Sequence, residues 1–443
     1  MKPKNNPDSS FYNGGRKTHW AVVAFAMIGS CMSGVTFVSV PGMVGTSGFG
    51  YLQMCLGFFL GYLVIAFVLT PLYFKLNVVS IYQYLENRFG LASYKTGAWF
   101  FFLSKMLGAS VRLFLVCLTL QLLVFTPLGL PFWLNVVCNV AVCLALTFRH
   151  GVKSVIGVDV VRTACMIVAV ALAIFFIGQD LGGIRIHERV FFFDDVNHPQ
   201  YFWKQLLGGL FTVIAMTGLD QDMMQRTLAC KDYRDSQKNL VVSSLLQTVV
   251  IAGFLCLGSL LYQFAAAHGI PETGDSLFPA VATGGLLPAV VGVLFVVGLL
   301  ISAYGAGGSA LTSLTTSFTV DILGKAGEVK TRKRVHLAMA VLMAVTIVVF
   351  NALNSTSAID AVYKLASYTY GPILGLFAFG ILTKKPVKDK YVPVVALLAP
   401  AICLVLQLNS ERWFGGYKFS YELLLLNAAL TFLGLTLLIR RNK

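Results

Sequence analysis

Four charged side chains fall inside strongly apolar stretches of the chain, and their chemistry needs an explanation. Lys105 and Arg112 are seven residues apart, and Asp159 and Arg162 are three residues apart. On a helix, side chains at these spacings share one face. Charges inside a membrane are expensive and mark ion pathways, proton relays or substrate contacts. For Lys105 and Arg112 we expect pairing with backbone carbonyls or with an acid on a neighbouring helix, and the alternative partner is an anionic substrate.

No residue pattern for enzymatic chemistry accompanies these charges. The nine cysteines are scattered, with no CxxC pair and no histidine cluster nearby. Neither a disulfide framework nor a zinc site is therefore indicated. The chain contains no GxxxxGK phosphate loop and no GxSxG nucleophile turn. We expect a protein that is not an enzyme and that carries no cofactor.

The elements that must hold the four charges are long apolar segments. Of the 443 residues, 57% are hydrophobic and 12% are charged, whereas an average soluble domain has roughly 25% charged residues. This composition excludes a soluble enzyme and predicts an all-α polytopic membrane protein. Charged and Pro/Gly clusters divide the chain into about twelve segments, each near the ~20 residues of one helical crossing. The segments cover residues 20–44, 51–74, 96–125, 131–148, 155–177, 203–220, 240–264, 285–322, 335–353, 359–382, 391–408 and 420–439.

The placement of the basic residues predicts the orientation in the membrane. A net charge of +15 could indicate nucleic-acid binding, but the basic residues concentrate in every second connection, beginning with the N-terminus. The other connections carry only Arg185, Arg189, Lys204, Arg412 and Lys418. This asymmetry follows the positive-inside rule and predicts that both termini face the cytoplasm. The bilayer, and not a nucleic acid, is the expected partner of the basic residues.

The first segment contains residues that weaken a helix in its middle. Small and hydroxyl residues crowd around Ser33, and Pro41 removes a backbone donor further on. A helix unwound between Ser33 and Thr36 would expose carbonyls at mid-bilayer, where they must line a cavity or find protein partners. The alternative is close helix packing through small residues, which is common in membranes.

The sixth segment is interrupted by Gly208 and Gly209 within a short apolar run. Broken helices at corresponding places in two halves of five segments are typical of inverted-repeat transporters with a substrate site at mid-membrane. Segments one to five, residues 20–177, and segments six to ten, residues 203–382, are then the two repeats. Residues 1–19 form a cytoplasmic segment, and residues 391–443 add two helices and a short tail.

Several stretches carry a likeness to a known family. They read SGVTFVSVPG at 33–42, LSK at 103–105, TGLDQDMMQ at 217–225, SALT at 309–312 and FTVD at 318–321. With these motifs the chain resembles the sodium/solute symporter family, and in particular its members from Bacteroides-type bacteria. The likeness extends from about Tyr12 to the last helix. It implies a LeuT-type fold that moves a small solute inward, driven by sodium.

The resemblance also implies a position for one sodium ion, between the broken first helix and the eighth helix. In the family, the first helix supplies two backbone carbonyls, here those of Gly29 and Met32. The eighth helix supplies a carbonyl, here that of Ser302, and two hydroxyls at positions that are Gly305 and Ala306 in this chain. Because both hydroxyl ligands are absent, a bound sodium would have to recruit water or leave the site. We expect sodium coupling to be altered or lost.

The fifth helix departs from the family pattern as well. The family places an acid near the inner exit of the cation, and this chain has Asp159 there with Arg162 three residues later. Arg162 could neutralise Asp159 permanently and replace the positive charge of sodium. The alternative is that Arg162 extends to the cytoplasmic headgroups. Asp159 could also carry a proton, although an adjacent arginine favours its ionised form.

The substrate is expected at the unwound parts of the two broken helices. The positions concerned are Ser33, Gly34, Val35, Thr36, Phe37, Gly208, Gly209 and Phe211. Asp220 and Asp222, at the inner end of segment 203–220, are explained by helix capping and surface pairing. The side chains at these positions do not identify the solute.

Together these patterns predict a secondary transporter of a small organic solute in the bacterial inner membrane. Sodium is its only expected cofactor-like ligand, and the altered site speaks against it. The alternative function is a non-transporting sensor or regulatory protein built on a transporter scaffold, which the altered cation site would also fit. The sequence predicts no oligomeric state.

Overall fold

The computed structural model describes residues 11–12, 14–32, 34–148, 151–186, 192–195, 198, 200–352, 358–413, 419 and 422–440. At residues 34–35, 115, 119, 122–123 and 358–366 it describes the backbone alone. Within these residues the structure is built from helices, and β pairing is limited to two isolated bridges, Thr18 with Cys230 and Val387 with Ile439.

Twelve apolar helical units follow one another along the described chain, and two of them, the first and the sixth, are bent pairs of helices. In chain order they are α1a (Trp20–Cys31), α1b (Gly34–Gly42), α2 (Tyr51–Leu76), α3 (Leu91–Leu120), α4 (Phe132–Thr147), α5 (Val152–Asp180), α6a (Phe202–Gly218), α6b (Gln221–Thr227), α7 (Tyr233–His268), α8 (Ala289–Ile322), α9 (Val329–Ala352), α10 (Ala358–Leu382), α11 (Asp389–Leu408) and α12 (Glu422–Leu437). Short helices connect some of them: Val44–Ser47, Gln83–Arg88, Leu277–Thr283 and Ser410–Trp413.

These units agree with the segments predicted from the sequence. Among the described residues, seven helices are long and apolar enough to cross a bilayer, and two bent pairs, α1a with α1b and α6a with α6b, qualify when each pair is taken together. Three shorter apolar helices complete the set. Each predicted segment overlaps one of these units, so the prediction of an all-α polytopic membrane protein is confirmed. The count of twelve crossings and the five-plus-five repeat stay predictions.

The first unit is broken near the predicted place, but the predicted unwinding was wrong for Gly34 to Thr36, because the second helix already begins at Gly34. The two halves of α1 are bent by 64°. Helix α1a ends at Cys31, and Met32 takes an extended backbone conformation (φ −96°, ψ 107°). Ser33 lies outside the described residues. The Met32 carbonyl is therefore released from the helix, as the unwound stretch requires.

The sixth unit is broken at a different place from the predicted one. Gly208 and Gly209 lie inside the continuous part of α6a, so the predicted unwinding at these glycines was wrong. The bend of 74° comes between Gly218 and Gln221. There the released carbonyls of Gly218 and Leu219 accept hydrogen bonds from tyrosine hydroxyls, Tyr73 Oη at 3.0 Å and Tyr82 Oη at 2.9 Å.

The glycines of α6a serve close helix packing instead. A Cβ at Gly209 would clash with the backbone carbonyl of Met54 in α2, and a Cβ at Gly57 of α2 would lie 2.8 Å from the backbone nitrogen of Leu210. The two helices therefore approach through glycine, as small residues allow in membranes. The substitution Gly209→Ala is expected to lower the free energy of unfolding by about 1–3 kcal/mol, because backbone atoms cannot yield to the added methyl group.

Thermal unfolding of the purified protein in detergent measures this effect. The matched control is Gly157→Ala, at an exposed position of α5 with no atom within 4 Å of an added Cβ. This variant is expected to be as stable as the parent or more stable by up to about 1 kcal/mol, since alanine favours a helix interior. Equal destabilisation by both substitutions would contradict the packing role of Gly209.

Candidate functional site

Six charged side chains are buried together in the middle of the helices. Each is at most 6% exposed, and they come from α3, α5, the α6 break and α6b: Lys105, Asp159, Arg162, Asp220, Asp222 and Arg226. Ionised groups away from water must pair with one another. Three are carboxylates and three are cations, so the group, called here the ion network, is electrically balanced.

The break in α6 supplies the first carboxylate of the ion network. Asp220 caps α6b, and its Oδ1 accepts hydrogen bonds from the backbone nitrogens of Asp222 (2.8 Å) and Met223 (3.1 Å). Its Oδ2 accepts from the hydroxyl of Tyr370 in α10. The predicted capping role is confirmed, but the predicted surface position of Asp220 and Asp222 was wrong, since both are buried.

Lys105 joins α3 to this break. Its Nζ lies 2.6 Å from Asp222 Oδ2 and 3.2 Å from Asp220 Oδ2. The expectation of an acidic partner on a neighbouring helix is therefore met for Lys105. Next to it, Ser104 accepts a hydrogen bond from the hydroxyl of Thr369 in α10 (2.8 Å), which joins α3 to α10.

Arg226 joins α6b to α5 and α8. Its Nε donates to Asp159 Oδ2 at 2.9 Å, and its Nη1 donates to the carbonyl and to Oδ1 of Asp222, both at 2.8 Å. Its Nη2 donates to the hydroxyl of Ser309. Asp159 Oδ2 also accepts from Ser30 Oγ of α1a at 2.8 Å. Four helical elements therefore meet at the Asp159 carboxylate and the Arg226 guanidinium.

Arg162 lies at the break of α1. It is 1% exposed, and its Nη2 donates to the released carbonyl of Met32. Its Nη1 lies 3.4 Å from Asp159 Oδ1. The alternative that Arg162 extends to the headgroups is therefore wrong. The guanidinium contacts one of the carbonyls that the family resemblance assigns to sodium.

Of the other predicted cation positions, Gly305 lies beside this guanidinium. A Cβ at Gly305 would be 3.3 Å from Asp159 Oδ1 and 3.5 Å from Arg162 Nη1, so the missing side chain leaves room for the arginine. Gly29 donates its backbone N–H to Thr163 Oγ1 at 2.9 Å. Ser302 is buried, and its hydroxyl has no partner among the described residues. Ala306, one residue beyond Gly305, is half-buried.

Arg112 stands apart from the ion network. Its side chain is half-buried on α3, and Nη2 would lie 3.7 Å from a Cβ at Gly108. It is near enough to Tyr370 and Arg162 for its charge to act on both. In the part of the chain that the structure describes, no carboxylate pairs with it. The predicted acidic or carbonyl partner is thus absent there, and the anionic alternative stays open.

The predicted substrate positions lie in several different surroundings. Ser33 lies outside the described residues, and for Gly34 and Val35 the structure describes the backbone alone. Thr36 is half-buried. Phe37 is fully buried, and its ring packs on three phenylalanines at centroid distances of 5.3 to 5.6 Å, namely Phe254, Phe278 and Phe295. Phe211 packs on the core, so the substrate role of these positions stays a prediction.

Sequence reasoning missed Arg226, although a signal for it was present. Asp222 and Arg226 are four residues apart, the spacing of a helical ion pair, and they follow an apolar segment with no intervening loop. Lys105 also required an acid at a similar depth. Ser309 and Ser30 carry no such signal, because isolated serines are common in membrane helices.

Comparison with known proteins adds the family context. The family model described as "Sodium:solute symporter family" matches residues 11–389. The sodium/sialic acid symporter NanT of Aliivibrio fischeri is 27% identical over 86% of this chain and 79% of its own length. The human sodium/iodide cotransporter is 26% identical, and the matched region is 57% of this chain but only 40% of that protein.

A solved structure shares the fold. It is that of a Na+-coupled sialic acid symporter in a substrate-bound outward-open state, and it superimposes with a TM-score of 0.78. The alignment covers 98% of this chain and 92% of that chain at 18% identity. At this level of identity the likeness concerns the fold alone.

Proposed function

Since the chain belongs to the sodium:solute symporter family, whose members are secondary transporters, we propose that it moves a small organic anion across the bacterial inner membrane without coupling to sodium. The observation that carries this proposal is the buried Arg162 guanidinium bound to the Met32 carbonyl. The chain is a multi-pass membrane protein. The chemistry of its charged residues supports the two finer parts of the proposal, the anionic substrate and the absence of sodium coupling.

The Arg162 guanidinium takes the role of the sodium ion in this proposal. A sodium ion would need oxygen ligands on all sides, because oxygens replace its water shell. At this place the two hydroxyl positions are Gly305 and Ala306, and a cationic side chain already contacts the Met32 carbonyl. A second cation would meet the repulsion of the first at short range. The residues present therefore do not fit a sodium ion.

Transport coupled to a proton on Asp159 is less well supported than transport without a coupled cation. Its two carboxylate oxygens face Arg162 and Arg226, and Ser30 donates to one of them. Protonation would remove the negative charge that both guanidiniums need, and hydrogen bonds to an ionised partner are the stronger ones. Coupling to a proton on Asp159 would therefore weaken the contacts of both arginines.

An anionic solute is favoured by Arg112. Because the ion network is balanced, Arg112 is an additional positive charge inside the bundle, and among the described residues no carboxylate neutralises it. Intramembrane charges without a protein partner mark substrate pathways. Two relatives are named for anions, iodide and sialic acid. We expect Arg112 to pair with the charged group of the solute.

Uptake into proteoliposomes tests the proposal. Labelled sialic acid, short monocarboxylates and iodide are offered in sodium, potassium or N-methylglucamine buffers. We expect at least one anion to enter at the same rate in all three buffers, and its uptake to fall by at least about tenfold in Arg112→Gln, the loss of one charged hydrogen-bonding partner. Arg112→Lys, which keeps the charge, is expected to retain part of the uptake.

Three results would contradict the proposal or a part of it. Uptake that stops in sodium-free buffer would show that sodium coupling survives beside Arg162. Saturable binding of an anion without any exchange across the membrane would favour the sensor function instead. Equal uptake by Arg112→Gln and the parent would remove the argument for an anion.

A further inference from the structure

We propose that Arg226 is a second tethered cation, whose guanidinium fills an oxygen-lined position between α5, α6b and α8 that would otherwise bind a free monovalent cation. The inference deepens the proposed function, and the role of this position in transport rests on that function. The position itself is defined by the contacts of Arg226 and can be tested without a transported solute.

The surroundings of Arg226 are those of a cation site. Four oxygens from three elements converge on its guanidinium, one from Asp159, two from Asp222 and one from Ser309. Apart from the sulfur of Met223 at 3.9 Å, its hydrogen-bond acceptors are all oxygens. Carboxylate, carbonyl and hydroxyl oxygens are the ligands that hard cations prefer. Arg226 is 2% exposed, so these oxygens face the guanidinium and not water.

The charge balance of the ion network determines which charge a free ion must carry to replace the Arg226 guanidinium. The network holds three carboxylates and three cations, and removal of Arg226 leaves one negative charge in excess. A buried charge without compensation is strongly unfavourable. One monovalent cation restores neutrality, whereas a divalent cation would reverse the imbalance. A free ion at this position is therefore expected to be monovalent.

Arg226 and Arg162 flank the same carboxylate. Asp159 Oδ2 faces Arg226 and Asp159 Oδ1 faces Arg162. Arg162 reaches the break of α1, and Arg226 extends to α6b and α8. Free cations at these two places would bind and leave during a cycle, but side chains cannot. The two positive charges therefore stay in the carrier whether or not a solute is bound.

The test is the thermal unfolding of purified Arg226→Ala in N-methylglucamine, sodium or potassium chloride, each at 100 mM. In N-methylglucamine we expect the melting temperature of Arg226→Ala to fall by about 5–10 °C. Sodium or potassium should restore at least about half of that loss, because a ligand of the folded state raises its stability by mass action. The parent protein is expected to melt at the same temperature in all three salts.

Two control variants separate a cation site from a general structural role. Arg88 donates only to backbone carbonyls of Gly380, Thr383 and Lys385, at 3.1, 2.7 and 3.1 Å. Arg88→Ala should therefore lose stability equally in all three salts. Arg226→Ala combined with Asp222→Asn removes one negative charge with the positive one, and this variant should also lose the response to sodium and potassium.

The inference is overturned if Arg226→Ala melts at the same lowered temperature in all three salts. Should that variant not fold, Arg226→Gln places one neutral amide group near these oxygens without the charge, and a folded Arg226→Gln indifferent to sodium and potassium overturns it as well. Sodium-dependent uptake by the parent protein would contradict the proposed function, whereas the melting temperatures of the Arg226 variants decide separately on this site.

Discussion

The triple variant Arg162→Ala, Gly305→Ser, Ala306→Ser is expected to bind sodium and to require it for transport. Removal of the guanidinium frees the Met32 carbonyl, and the two serines supply the hydroxyls that the chain lacks. At sodium concentrations about 100 times the dissociation constant, binding stabilises the folded state by about 2.7 kcal/mol. Thermal unfolding and uptake in sodium and in N-methylglucamine buffers measure the two effects.

The control for this variant retains the arginine. In Gly305→Ser with Ala306→Ser alone, the new Cβ at residue 305 would lie 3.3 Å from Asp159 Oδ1 and 3.5 Å from Arg162 Nη1. We expect this double variant to be less stable and indifferent to sodium, because the guanidinium still occupies the position. A sodium-dependent double variant would mean that Arg162 does not exclude the ion. A folded triple variant without any sodium response would contradict the assignment of the position.

The second large effect is expected for Lys105→Met. This substitution keeps an apolar chain as far as Cε but leaves Asp220 and Asp222 without their shared cation. Breaking a buried ion pair from one side costs roughly 3–5 kcal/mol, because the other charge remains in the interior. We expect a loss near 3 kcal/mol, since Asp222 still has Arg226 and Asp220 still has Tyr370. Unfolding of the purified protein measures this loss.

A surface lysine provides the comparison for Lys105. Lys238 faces Asp235 at 3.8 Å, and its side chain is 61% exposed. Lys238→Met should change stability by less than about 1 kcal/mol, as for other exposed pairs. Adding Asp222→Asn to Lys105→Met should recover part of the loss by restoring charge balance. If Lys105→Met were as stable as Lys238→Met, the ion network would not hold α3 to the break in α6.

The break in α1 could be predicted because its cause is local. Hydroxyl and small residues around Ser33, with Pro41 further on, weaken the helix wherever its neighbours lie. The apolar segments were predictable for a similar reason, since the length of an apolar run decides whether it can cross a bilayer. These features depend on the segment itself and not on its partners.

The break in α6 depends on residues that are distant in the sequence. The carbonyls that it releases are satisfied by Tyr73 and Tyr82, and Asp220 caps the new helix that follows. Gly209, which suggested a break, instead admits the backbone of α2. A glycine pair alone does not distinguish unwinding from close packing, because both need a position without a side chain. The partner helix decides between them.

For Arg162 the sequence predicted one contact and not the others. Its spacing from Asp159 predicted an ion pair, and the structure has this pair at 3.4 Å. The contact with the Met32 carbonyl and the second arginine on Asp159 could not be derived from spacing, because they come from α1 and α6b. The sequence identified Lys105, Asp159 and Arg162 singly and missed Arg226. The convergence of these residues is a property of the fold.

The covalent attachment of the Arg162 guanidinium to α5 has an electrical consequence. A sodium ion that crosses with a solute carries its charge through the membrane voltage, worth about 2.3 kcal/mol per elementary charge at 100 mV. A guanidinium that belongs to the protein returns with it, so the voltage does no net work on it over a cycle. In the proposed carrier the charge that crosses is then that of the anion alone, and an inside-negative voltage drives it outward. Such a carrier releases its anion from the cell or exchanges it for another, where a sodium symporter accumulates it.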